Sequence, residues 1–174
     1  MFRGAAMSSA IASLAVPLAL FLAVGLLLAA AVSDLAFRLV PNWLPALLAV
    51  DGAALRLADG TLLTGAAAAL AVFAGCVLLW RFRLMGGGDV KLFGAAALAV
   101  PLPASFVATA VLAGGLLALL YLLLRRVVPR PAAARPCGLL RRTLRMEQHR
   151  IRTGHSLPYC CAIAFGAAAT LIGG

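Results

Sequence analysis

Thr61-Leu62-Leu63-Thr64-Gly65-Ala66-Ala67-Ala68-Ala69-Leu70-Ala71-Val72-Phe73-Ala74-Gly75-Cys76-Val77-Leu78-Leu79-Trp80 carries no charged side chain from end to end. A helix that crosses about 30 Å of hydrocarbon needs about 20 mostly apolar residues, and it must bond all its backbone polar groups internally. Similar runs extend from about Ile11 to Ser33, Leu39 to Leu57 and Pro103 to Leu124, with a shorter one from about Ser156 to Gly173. Composition agrees. Of the 174 residues 64% are hydrophobic and 11% charged, too few polar groups to cover a water-soluble domain of this size. The expectation is an all-α polytopic transmembrane helical bundle, a single membrane-embedded domain over residues 1–174.

Between Val90 and Leu124 the apolar pattern is too long for one crossing: as a continuous helix it would extend roughly 52 Å. Pro101-Leu102-Pro103 is the natural break, because proline has no N–H to donate and restricts the residue before it. Splitting there predicts about six spans, the fourth of them short.

Basic residues orient such a bundle. With both termini non-cytoplasmic, Arg38, Arg81, Arg83, Lys91 and the 125–152 segment face the cytoplasm, and only Arg3 and Arg56 of the 15 Lys and Arg residues lie outside. This is the excess that cytoplasmic loops carry. A rival reading treats Leu28-Ala29-Ala30-Ala31-Val32-Ser33 as the small-residue end of a cleaved signal peptide, but the apolar run before it is about twice the usual length.

The basic loop, about residues 125–156, holds Arg125, Arg126, Arg130, Arg135, Arg141, Arg142, Arg145, Arg150 and Arg152 against a single Glu147. It reads as a cytoplasmic anchor in contact with anionic membrane lipid. Leu139-Leu140-Arg141-Arg142-Thr143-Leu144-Arg145-Met146 would suit a short interfacial helix. The net charge of +10 is not accompanied by aromatic interleaving or a binding motif, so no nucleic-acid partner is expected.

The chain has only five acidic residues. In the six-span arrangement Asp34 and Asp89 share the cytoplasmic side, while Asp51 and Asp59 fall on the other. A carboxylate near hydrocarbon is costly and marks a functional-site hypothesis by default. Two carboxylates that converge cannot both stay ionised; they share one proton. One can then draw a proton from water while the other donates to a carbonyl oxygen, which is the requirement for peptide-bond hydrolysis. The four cysteines (Cys76, Cys137, Cys160 and Cys161) form no Cys-x-x-Cys pair and share no ligand spacing with His149 or His155. Neither a metal nor a cofactor is expected, and Cys76, Cys160 and Cys161 read as small apolar residues within spans.

Asp34 with Arg38 and Pro41-Asn42, then Gly86-Gly87-Gly88-Asp89 with Lys91, resembles the signature of the type IV prepilin peptidases, membrane aspartyl proteases with a Gly-x-Gly-Asp motif. Leu157-Pro158-Tyr159, followed by Ala162-Ile163-Ala164 and Gly166, is similar to that family's carboxy-terminal signature. The short form resembles the peptidases of Flp-type (tight-adherence) pili.

The resemblance implies an aspartic endopeptidase of the bacterial inner membrane with Asp34 and Asp89 as catalytic residues. Its expected substrates are prepilins with a short basic leader, cut after a glycine at the cytoplasmic face. Pilus assembly proteins are further partners it implies. Larger relatives also methylate the mature pilin through an amino-terminal domain with paired cysteines; the chain lacks that pattern, and methylation is not expected.

Gly86, Gly87 and Gly88 would lend backbone freedom and close approach beside Asp89. Arg38 and Lys91 are placed to tune the pair or to anchor the membrane edge, Pro41-Asn42 to fix the entry into the second span, and Asn42 also to hydrogen-bond near the site. Pro158 and Tyr159 are near-site residues by resemblance alone. The small residues Gly65-Ala66-Ala67-Ala68-Ala69 would let a substrate helix pack closely. The competing expectation is a non-enzymatic subunit of a pilus or secretion assembly platform, or a small transporter using its intramembrane carboxylates. Against transport, the sequence shows no mirrored pair of broken helices.

Overall fold

A computed structural model describes residues 2–37, 39–101, 103–127 and 159–173, with side chains from Val16 onward in the first helix. Among the described residues every regular element is helical: α1 (Phe2–Phe37), α2 (Trp43–Ala58), α3 (Leu62–Arg81), α4 (Gly87–Ala99), α5 (Pro103–Val127) and α6 (Tyr159–Gly173). The break expected at the prolines is present, with α4 ending at Ala99 and α5 starting at Pro103. Arg38, Pro158, the interfacial-helix segment Leu139–Met146 and most of the basic loop lie outside the described residues.

Three helices hold stretches long and apolar enough to cross a membrane: Val16–Phe37, Leu62–Arg81 and Pro103–Leu124. The others are shorter, α4 only 13 residues or about 20 Å. Outward faces are apolar throughout; Leu63, Leu70, Leu112, Leu116 and Phe165 are each more than 60% exposed, the inverse of a water-soluble surface. The chain is a helical membrane bundle.

Helix α4 is the centre. Val90, Leu92, Phe93, Ala95, Ala96, Ala97 and Ala99 are all buried, so its sides are covered rather than one stripe, by α2, α3, α5 and α6. Within lipid, apolar burial gives helices little reason to associate, and close packing of small residues replaces it. Two glycines show how close. A Cβ on Gly52 of α2 would lie 2.7 Å from the Ala99 backbone nitrogen, and one on Gly166 of α6 would lie 2.8 Å from the Ala110 backbone of α5. On α1 the packed stripe runs Ala23, Leu26, Leu27, Ala30 and then Asp34, the spacing of one helical face.

The carboxyl end of α4 shows why a cation sits at the side expected to be poor in them. Its last carbonyls need donors, yet Pro101 and Pro103 supply no N–H. The Arg56 guanidinium supplies them instead, donating to the carbonyls of Leu98 (3.2 Å), Val100 and Pro101 (3.4 Å). A positive group at a helix carboxyl terminus also complements the helix dipole.

Candidate active site

Ser33 Oγ donates to the Leu39 carbonyl at 2.6 Å, turning the chain back just after α1. This leaves Asp34 in the last turn of α1, on the packed face and only 8% exposed. Across from it α4 begins. Gly86 is the extended residue before the helix (φ −73°, ψ 146°). Its carbonyl accepts the Val90 N–H at 3.2 Å, and Asp89 falls in the first turn. The amino-terminal end of a helix favours negative charge there.

The third contributor is α6, whose second residue, Cys160, is fully buried. Its thiol donates to Asp89 Oδ1 at 3.0 Å. One carboxylate oxygen of Asp34, one of Asp89 and Cys160 Sγ all lie within 4.8 Å of one another. Two acids that the sequence separates by the whole of α2 and α3 are thus brought within 4.8 Å, where each charge acts strongly on the other. The same spacing is wide enough for a cation between the three groups.

The pair faces a cavity of about 640 Å³ walled by Gly86, Gly87, Gly88, Val40, Met85 and Tyr159, with Arg83 and Leu84 from the α3–α4 connection. Met85 and Tyr159 also wall an apolar cavity of about 620 Å³ between α3, α5 and α6. The dyad cavity therefore adjoins an apolar one.

Several expected site residues need correction. Gly86, Gly87 and Gly88 line the cavity, but none adopts the left-handed backbone that only glycine tolerates well. Their small size is what the geometry uses: a Cβ on Gly86 would lie 2.9 Å from Asp89 Oδ2. Lys91 and Asn42 are not brought to the dyad cavity. Lys91 Nζ donates to Asn42 Oδ1 at 3.0 Å, tying α4 to the start of α2. Both line a different, mostly apolar cavity of about 720 Å³, together with Ala66, Ala69 and Phe73 of α3. One helical turn of 3.6 residues explains this, since Lys91 lies two positions from Asp89 and so points away from it. Pro41 stands at the entry to α2, which starts at Trp43 with Asn42 as its cap, and the Pro41 carbonyl accepts the Leu44 N–H. Tyr159 does line the dyad cavity. Cys160 was read as an apolar filler, and its bond to Asp89 was missed. The available signal was its position directly after Pro158-Tyr159. Arg83 and Met85 were also missed as site residues.

The model of the type IV leader peptidase family matches residues 6–123, more than half of the chain and including both aspartates. The chain belongs to that family. Comparison with curated proteins and with solved structures gave no match. Membership implies a membrane-bound leader peptidase of the aspartic type. Tyr159 and Cys160 lie beyond the matched residues, so their place at the site comes from the geometry alone.

Proposed function

We propose that the chain removes the short leader from Flp-type prepilins, cutting after a glycine at the cytoplasmic face of the bacterial inner membrane, with Asp34 and Asp89 as the catalytic pair. The observation that carries the reading is the convergence of these two carboxylates within 4.8 Å on one cavity, in a member of a leader peptidase family. One carboxylate takes a proton from water as the water oxygen attacks the scissile carbonyl carbon. The other acid gives its proton to the carbonyl oxygen. Collapse of the tetrahedral diol breaks the C–N bond, and the amine leaves with a proton returned by the pair.

Charge supports the cytoplasmic orientation. Arg81 ends α3, Arg83 in the α3–α4 connection lines the dyad cavity, and in sequence the arginine-rich segment leads from α5 into α6, whose first residue, Tyr159, lines the same cavity. Arg56, one of the two basic residues expected outside, has its own reason for being there in the carbonyls it caps. Anionic lipid is the natural contact of the arginine-rich segment. The apolar helix of the pilin would reach the dyad from within the bilayer, and the small-residue side of α3 at Ala66 and Ala69 borders a cavity suited to it. The proposal covers hydrolysis only and assigns no methyl transfer to these residues.

The test is co-expression with a Flp-type prepilin and an immunoblot for the size shift of leader removal. Wild type, Asp34→Asn and Asp89→Asn are run together, with membrane levels of each checked. Processing by wild type alone is expected; processing by both variants would end the aspartic reading.

A further inference from the structure

Building on the proposed dyad, we propose that the Cys160 thiol is a positioning residue, holding the Asp89 carboxylate in the orientation that shares a proton with Asp34. An ionised carboxylate can only accept hydrogen bonds, and a thiol can donate one. The Cys160 Sγ–Asp89 Oδ1 distance of 3.0 Å places that donor on one oxygen of the acid. The other oxygen lies over Gly86, where any side chain would crowd it, a Cβ there coming within 2.9 Å of Oδ2. The carboxylate is therefore bonded on one side by a thiol on α6, and the glycine that begins α4 leaves room for it on the other.

The thiol is itself fixed. Cys160 is fully buried and in no disulfide. It sits in the first turn of α6, a helix packed on α1, α4 and α5. Gly166 brings α6 into backbone contact with α5 at Ala110. Sγ is also within 4.8 Å of an Asp34 carboxylate oxygen, while Cys160 itself is buried and does not line the dyad cavity. A group in this position touches neither the scissile bond nor the cavity wall; it acts through Asp89. Its removal is expected to lower the rate of the chemical step and leave substrate binding alone, because the interaction is with the acid and not with the leader.

The experiment uses the purified full-length protein in detergent with a Flp-type prepilin. Cys160→Ala, Cys160→Ser and Cys76→Ala are compared with wild type, and Asp34→Asn and Asp89→Asn run alongside. Cys76 is a second buried cysteine, on α3, that neither lines the dyad cavity nor belongs to the Asp34–Asp89–Cys160 group. Cys160→Ala is expected to lose about tenfold in kcat with KM unchanged, the size of one charge-assisted hydrogen bond. Cys160→Ser, which keeps a donor, is expected to recover most of that loss, and Cys76→Ala to match wild type. Wild-type kcat in Cys160→Ala, with both Asp variants inactive, would overturn the positioning role and leave the dyad intact. Equal losses in the Ala and Ser variants, tracking an equal drop in thermal midpoint, would also overturn it by reducing Cys160 to a packing residue. Activity retained in both Asp variants would remove the dyad, and the role of the thiol with it.

Discussion

Asp34 and Asp51 are equally buried, each 8% exposed, yet they lie toward opposite ends of α4. Asp34 meets Asp89 and Cys160 on a cavity. Asp51 stands beside Gly52, where α2 crosses the carboxyl end of α4; its Oδ2, like that of Asp34, accepts no hydrogen bond among the described residues. It lines neither the dyad cavity nor the cavities beside it. Burial of an acid is therefore not what makes a site in this molecule. Convergence with a second acid, on a surface a substrate can reach, is what separates the two ends.

The largest test of that contrast is a matched pair of substitutions. Asp34→Asn is expected to lower prepilin cleavage on the order of 10³-fold or more, because a residue acting as part of a unit takes most of the unit's effect with it. Asp51→Asn should keep cleavage within about twofold and should not lower the thermal midpoint, since it replaces an incompletely bonded buried acid with a neutral group. Cleavage assays on inserted protein check both. A large loss of activity in Asp51→Asn at normal membrane levels would break the comparison.

The intermediate test concerns the far end alone. Arg56→Met keeps an apolar stem but removes the donors to Leu98, Val100 and Pro101. About 1–2 kcal/mol of stability should go with it, as charged donors to otherwise orphaned carbonyls are worth roughly that much at a partly exposed position. Thermal unfolding in detergent measures the loss, and cleavage per folded molecule should hold. A fall in cleavage per folded molecule would show that the capped end of α4 sets the position of Asp89 at the other.

These contrasts also mark where reading the sequence succeeds. The long uncharged stretch 61–80 identifies a membrane helix by itself, since hydrocarbon leaves the backbone no other solution. Pro101 and Pro103 announce the break between α4 and α5 for an equally local reason. Asp34 and Asp89 are legible because acids are rare in apolar sequence and motif order pairs them. That Lys91 and Asn42 face a different cavity from Asp89 could not be read, because neighbouring positions on a helix face different ways, and which way depends on the partner helix. The Cys160–Asp89 bond spans 71 positions and joins the first turns of two helices, a contact that no local pattern encodes. The capping by Arg56 is equally hidden, since the carbonyls it reaches lie 42 or more positions along the chain.

The smallest effect lies in how two helices end. Both α2 and α3 close with the same pair of bonds. In α2 the Thr61 N–H reaches the Arg56 carbonyl and Gly60 N–H that of Leu57; in α3 the Leu84 N–H reaches Leu79 and Arg83 N–H that of Trp80. That closure puts one residue in the left-handed region, Gly60 at φ 68° and Arg83 at φ 59°. Glycine takes this backbone freely, whereas a side chain there costs about 1 kcal/mol. The costly version stands at the dyad end, where Arg83 lines the cavity. Arg83→Gly should therefore raise the thermal stability by up to about 1 kcal/mol, less the larger unfolded-state entropy of glycine. If the arginine is kept for what its side chain does in the cavity, the same variant cleaves prepilin severalfold more slowly while the protein becomes no less stable. Thermal midpoints and initial cleavage rates on one preparation read both quantities. Undiminished cleavage in a stabilised variant would make Arg83 an ordinary strained turn, and the two helix ends would then differ in sequence without differing in purpose.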